Sequence, residues 1–323
     1  MRIIGGIVVT EIFRLKQVPR GARARPLYRK QAQPSSLAFF GLFLQQHKKL
    51  IQKLQWGVIL AYLILVTLPA FLPIPIRDAT LLNNFVAFAQ FCFWGIWWPF
   101  VIVSMLLTGR LWCGALCPEG ALSEWASTHF GQEKTIPRWI KWRGWPSLAF
   151  ILTTLYGQLV SVYDYAQAAL LVLGGSTIAA IIIGFLYGKK GTRVWCRYLC
   201  PVNGVFNLLS RLAPISFKTN PFLWDAYQGS KPKAPQCAPM INIHQLNGIS
   251  ACHLCGRCAG FKDAVQLEWR PFNEEIVAYG AQKTSKWEKF LLLFGMIGVA
   301  IGAFSWTNSQ LFIQYKQYLG TLL

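Results

Sequence analysis

The sequence predicts an all-α integral membrane protein of five transmembrane helices, built on a duplicated helix hairpin with a CxxxCP motif and completed by a small cysteine-rich cytoplasmic loop. Three observations predict it. Five apolar runs are long enough to span a bilayer, positive charge alternates between the segments that join them, and eight of the nine cysteines fall in segments of one charge class.

The 323 residues are 54% hydrophobic, include 14 Trp, and carry a net charge of +20 from 32 Lys and Arg against 12 Asp and Glu. Strong positive charge first suggests nucleic acid, but in so apolar a chain it equally marks one face of a bilayer. The apolar residues decide. A spanning helix needs about 20 of them in a row, because lipid offers the backbone no water to bond. The runs at 56–76, 85–109, 145–162, 166–188 and 290–306 qualify.

Lys and Arg number 11 in residues 1–55, 5 in 110–144 and 14 in 189–289, whereas the remaining connections and the tail hold only Arg77 and Lys316. Short cytoplasmic loops retain such charge. The expected arrangement is a multi-pass protein of the bacterial cytoplasmic (inner) membrane with a cytoplasmic amino terminus, and nucleic-acid binding loses its support. The expected segments are a basic cytoplasmic arm at 1–55, able to form an amphipathic helix on anionic lipid; a first hairpin with its CxxxCP loop at 56–144; a second at 145–215; a cluster-binding segment at 216–288; and a last helix with a periplasmic tail at 289–323.

Cytoplasmic thiols stay reduced, which favours metal or redox chemistry over disulfides. Cys92, alone in the second span, reads as a small buried hydrophobe. Cys252, Cys255 and Cys258 follow C-x2-C-x2-C, the opening of the bacterial ferredoxin run, and three thiolates so spaced grip three corners of an iron–sulfur cube. Lys262 stands where a fourth ferredoxin cysteine would, so a remote ligand is needed, and Cys237 is the candidate. Four thiolates also hold structural zinc. His253 reads as a solvated or outer-sphere neighbour.

RLWCGALCPEG at 110–120 returns as RVWCRYLCPVNG at 193–204, with Arg110, Trp112, Cys113, Leu116, Cys117 and Pro118 repeated 83 residues later as Arg193, Trp195, Cys196, Leu199, Cys200 and Pro201. Each copy comes after a pair of apolar runs. Parallel repeats turn about an axis along the membrane normal, which brings equivalent points face to face. One Cys-x3-Cys pair is too small for a cluster, but two pairs supply four thiolates. Pro after the second Cys suits the first turn of a helix, and the helix dipoles with Arg110 and Arg193 favour thiolate charge. Alternatively Arg-x-Trp marks the membrane interface, which leaves the cysteines unexplained.

On these motifs the chain resembles the membrane-bound polyferredoxins of the NapH, NosR and CcoG/RdxA types, over about 56–306. The resemblance implies electron transfer through [4Fe-4S] clusters in support of a periplasmic reductase or of metal handling. It implies one cluster on Cys252, Cys255, Cys258 and Cys237, and a second on Cys113, Cys117, Cys196 and Cys200. Relatives commonly carry two complete ferredoxin motifs, whereas this chain has one, incomplete.

The leading expectation is therefore a membrane electron-transfer protein, a subunit of an oxidoreductase system rather than a stand-alone enzyme, relaying electrons between the quinone pool or a cytoplasmic donor and a periplasmic redox or metal-binding partner. With all ligands at one face and no histidine pair to hold a haem, quinone, flavin or a partner must complete the path. Trp94, Trp97, Trp98 and Phe100 are candidates to line such a pocket. The alternative is a metal reductase or assembly factor whose CxxxCP thiols bind copper or iron, since soft thiolates select Cu(I). No catalytic Ser-His-Asp set or hydrolytic acidic pair is present, and GGSTIAA at 174–180 reads as helix packing.

Overall fold

The structure, a computed structural model, describes residues 36–75, 80–229, 232–280, 286–306 and 308–322. Residues 1–35 of the expected basic arm, and Arg77, lie outside them. The described chain is mostly helical, with one two-stranded sheet.

Three helices are long and apolar enough to cross a membrane: α2 at Lys48–Phe71, α3 at Phe85–Thr108 and α7 at Ala166–Tyr187. At 1.5 Å per residue they run about 33 to 36 Å. The first differs from the expected 56–76. It starts at Lys48, recruiting residues assigned to the arm, and stops at Phe71, because Pro73 and Pro75 cannot continue a helix. The α6 helix, Trp145–Leu159, has 15 residues and so rises only about 22 Å. A last apolar helix, α12, covers 286–306, and α13, Gln310–Leu322, comes after it.

Between the spans lie the short helices that carry the repeated motif. These are α4 at Leu111–Ala115 with α5 at Pro118–His129, and α8 at Val194–Tyr198 with α9 at Asn203–Ser210. Pro118 takes the first turn of α5 as expected, where its missing N–H costs nothing. Pro201 instead precedes α9 by two residues, in a turn. Each post-motif helix packs against the span of the other half: α5 lies along α7, and α9 along α3. This exchange interlocks the two repeats.

Close approach between α5 and α7 depends on one glycine. A Cβ at Gly184 would stand 2.5 Å from the Ser123 carbonyl oxygen, while Gly175 meets nothing within 4 Å. Of GGSTIAA, Thr177 and Ala180 are buried in helix contacts, and Gly184 beyond it makes the close approach to α5. Backbone bonds from Gln132 to Phe185 (2.8 Å) and from Lys134 to Leu186 (3.2 Å) extend the contact past the helix ends.

The remaining lobe is an antiparallel pair, β1 at Ile215–Thr219 and β2 at Val265–Trp269, in the register Ile215↔Trp269 to Thr219↔Val265. The short α10, Pro221–Ala226, and α11, Glu274–Gly280, flank it. Phe217, Val265 and Leu267 form its wholly buried core. Over this core lies α1, Ser36–Gln46. Gly41 faces Leu267 and Phe217, and Leu44 meets Gly256, while Phe39, Phe40 and Phe43 remain exposed. One face of the amphipathic helix is thus spent on this lobe rather than on lipid.

Candidate metal centres

The lobe's cysteines come from two loops. Cys237 opens a turn in which Met240 N–H bonds the Cys237 carbonyl (3.0 Å), and Cys252, Cys255 and Cys258 sit on the loop before β2. Gly256 turns that loop with φ +73°, a conformation L side chains avoid, and Leu254 shares the left-handed region at φ +49°. All four thiols line one cavity, with His253 and Arg257. The loop is anchored by Glu275, which accepts from the backbone N–H groups of Ile249 (2.9 Å) and Ser250 (3.1 Å) and from Arg270 (2.5 Å). Burial pushes the Cys252 thiol up to about 12 and Cys237 up to about 11, and each stands in the field of its neighbours. Bare thiols here remain protonated at neutral pH, so loading with a cationic centre must release protons.

The second group forms between the two repeats. Cys113 and Cys196 are buried, Cys117 and Cys200 partly so, and all four lie within one another's electrostatic reach. Cys113 and Cys117 pack with Trp97, Trp98 and Met105 of α3, while Cys196 and Cys200 pack with Ala179, Ala180 and Ile183 of α7. These partners fall in the second half of their helices. Glu119, two residues after Cys117, accepts a hydrogen bond from Ser176, mid-way along α7. The repeated motifs therefore turn back between the long helices. The short helices α4 and α8 thus pack inside the helix bundle rather than on its outside.

Arg110, Trp112, Arg193 and Trp195 are buried as well, at 3%, 9%, 0% and 8% exposure, so they are not interface markers. Arg193 donates to Glu124 (2.8 Å) and to the carbonyls of Cys113 and Gly114; Arg110 donates to Asn203 (2.7 Å) and to the Ser250 carbonyl (2.9 Å). Trp195 donates to Glu119 (3.0 Å). Glu124 also pairs with Arg257 of the lobe, tying the two sites together.

The two quartets meet at Gly114. A Cβ there would lie 1.9 Å from the His253 carbonyl oxygen and 2.9 Å from the Cys255 nitrogen. At the equivalent place in the second repeat, Arg197 reaches the Pro239 carbonyl (2.5 Å), and the Arg193 N–H bonds Ala238 (2.8 Å). Each repeat thus grips one of the two loops that supply the outer quartet. His253, expected to be solvated or outer-sphere, is 1% exposed and lies between the sites.

The donor sets suit a bulky sulfur-ligated centre better than a single ion. Among the described residues no three His, Cys, Asp or Glu side chains converge closely enough for one metal ion. Four thiolates on zinc would stand about 3.8 Å apart, whereas a cube with an iron at each of four corners takes wider-set thiolates. Buried donors also lack partners here: Trp98 Nε1, Arg110 Nε and His253 Nδ1 border the quartets with nothing to bond. Of the aromatic candidates, Trp94 packs edge-on to Tyr163 (4.6 Å), Phe100 is 55% exposed, and Trp97 and Trp98 wall the inner thiols. Cys92 is half-buried. Glu119, Glu124 and Gly114 escaped sequence reasoning, although acidic residues directly after a motif, in a chain with only 12, were a readable signal.

Residues 91–137 and 170–220 match the 4Fe-4S binding domain family; the matched segments contain both CxxxCP repeats and not the C-x2-C-x2-C loop. The CxxxCP cysteines of both repeats thus lie in segments similar to a 4Fe-4S binding domain. The chain is 23% identical over 224 residues to the putative electron transport protein YccM of Escherichia coli (strain K12), covering 63% of this chain and 62% of that one. It is 32% identical over 192 residues to the regulatory protein NosR of Pseudomonas aeruginosa, covering 50% of this chain and 25% of that one. The chain thus spans less than two thirds of either relative. No solved structure matches it.

Proposed function

We propose that the chain is a membrane-bound relay in which each cysteine quartet holds one [4Fe-4S] cluster, and electrons pass between a cytoplasmic donor or the quinone pool and a periplasmic reductase or metal-uptake partner. The observation that carries the reading is the contact of Gly114 with His253 and Cys255, which sets the backbone of the first repeat against the loop that supplies the outer quartet. When bound, the clusters supply one-electron transfer in which no bond is made or broken.

The chain's own residues do the rest. Arg110 and Arg193 hold positive charge against the thiolates of the inner quartet. Glu124 fixes Arg193 and Arg257 together, and so fixes the lobe on the bundle. Trp97, Trp98, Ala180 and Ile183 keep the inner site dry.

In this reading α6 and residues 286–306 join the three long helices to make five crossings of the inner membrane, with the amino terminus and the lobe cytoplasmic. The inner quartet, packed among α3 and α7, lies deeper in this reading than the lobe, and a quinone or partner has the rest of the roughly 30 Å to bridge.

Iron, sulfide, copper and zinc content of the anaerobically purified protein, with low-temperature EPR, tests the proposal. About eight irons with matching sulfide support it. Cys258→Ala and Cys117→Ala should then each remove a different centre. About four irons would confine the cluster to one quartet, and copper without sulfide would move the metal-handling reading ahead.

A further inference from the structure

Trp98 opens the second half of α3 and carries an indole N–H that is buried and bonded to nothing. Buried polar groups nearly always find a partner, and one left without is destabilising. The side chains around it explain the vacancy. They are Val101, Met105, Cys113, Leu116, Cys117 and Phe206, whose ring lies 6.3 Å away. On its other side Trp98 packs against Tyr62, Val66 and Phe93; the Tyr62 hydroxyl is engaged with Thr177 (2.9 Å) and the Leu173 carbonyl (3.2 Å), and the remaining side-chain lone pairs of these neighbours are on sulfur.

The repeat does not supply this donor twice. Eighty-three residues on, the equivalent position is Ile181, which has no N–H to give. By contrast Trp195, the indole that the second repeat places beside the quartet, is already engaged by Glu119. The unpartnered indole N–H beside the inner thiols therefore comes from the first repeat.

The geometry points to Trp98 as a hydrogen-bond donor to sulfur of the centre held by Cys113, Cys117, Cys196 and Cys200, and thereby as a residue that sets its reduction potential. This rests on the reading that this quartet holds a cluster. An N–H aimed at cluster or cysteine sulfur withdraws electron density and favours the reduced form, and such bonds are among the means by which proteins tune these potentials. No proton is transferred and no ligand changes; Trp98 is a positioning residue for the electron.

The test is an EPR-monitored redox titration of the full-length protein with Trp98→Phe, which keeps the ring and removes the N–H. The equilibrium constant for reducing the inner centre should fall about tenfold, which is 59 mV for a one-electron couple, while the outer centre keeps its potential. An unchanged inner potential with full iron content overturns the inference. In the wild type grown with 15N-indole tryptophan, the inner centre should show nitrogen hyperfine coupling; its absence overturns the inference even if the variant fails to assemble. Loss of the cluster reading is distinguishable, because the wild type itself would then hold about four irons and show one centre.

Discussion

Gly114 and His253 touch through their backbones: the Cβ that Gly114 lacks would lie 1.9 Å from the His253 carbonyl oxygen. A residue of the first repeat is thereby the seat on which the cysteine-rich loop rests. Its equivalent in the second repeat, Arg197, is among the largest side chains, because there the lobe is held at arm's length through Pro239.

Gly114→Ala should therefore be costly. A backbone oxygen cannot rotate away, so the added methyl must displace the loop, at about 1–3 kcal/mol. Thermal unfolding in detergent should register that loss, and magnetic coupling between the two centres should weaken. Gly175→Ala, on an open helix face, should leave stability unchanged or raise it by up to about 1 kcal/mol.

Glu124→Ala removes the carboxylate opposite a guanidinium that is wholly buried. An uncompensated buried charge costs about 3–5 kcal/mol. Glu124→Gln, which keeps an oxygen acceptor, should cost less. A double-mutant cycle with Arg257→Ala should reveal coupling, and additivity of the two losses would contradict the tie between lobe and bundle.

Gly184→Leu should separate the two centres experimentally. Ser123 leaves no space for a side chain on that face of α7, so α5 would be pushed off and Cys117 with it. Iron should drop by about half, with the EPR signal of the outer quartet retained. Loss of both signals would mean that the lobe does not hold its centre independently.

Acid should loosen the cysteine loop through Glu275. Burial opposes ionisation of this carboxyl, but hydrogen bonds from Ser250, Ile249 and Arg270 outweigh it and hold the carboxyl below the usual carboxylate range. A lowered folded value stabilises above the unfolded value of about 4.3 and loses that contribution as pH falls through the folded value. Unfolding monitored from pH 6 towards pH 3 should show the wild-type advantage over Glu275→Gln shrinking; an advantage constant with pH would contradict this role.

Much of the molecule was legible along the chain. Apolar run length identified the long helices at Phe85 and Ala166 to within a residue or two, since a helix must satisfy its own backbone in lipid. The 83-residue repeat was equally plain, because Trp, Cys and Pro recur in order. The start of α2 was not, as Lys48 to Gln55 are polar by composition and helical by continuity with the apolar run that begins at Trp56.

The sequence by itself determined the inventory: apolar spans, two CxxxCP motifs, a C-x2-C-x2-C loop and an unattached Cys237. Tertiary structure alone decided their depth and their partners. Charge counting assigns a loop to a face, but it cannot see that α4 and α8 fold back between the spans, because re-entry is held by buried pairs such as Arg193 with Glu124, contributed by different repeats. For the same reason Gly114 reads as an ordinary residue in the chain, and Trp98 as one of four aromatic candidates to line a pocket. What makes one a seat and the other a free donor is the packing of side chains distant in sequence.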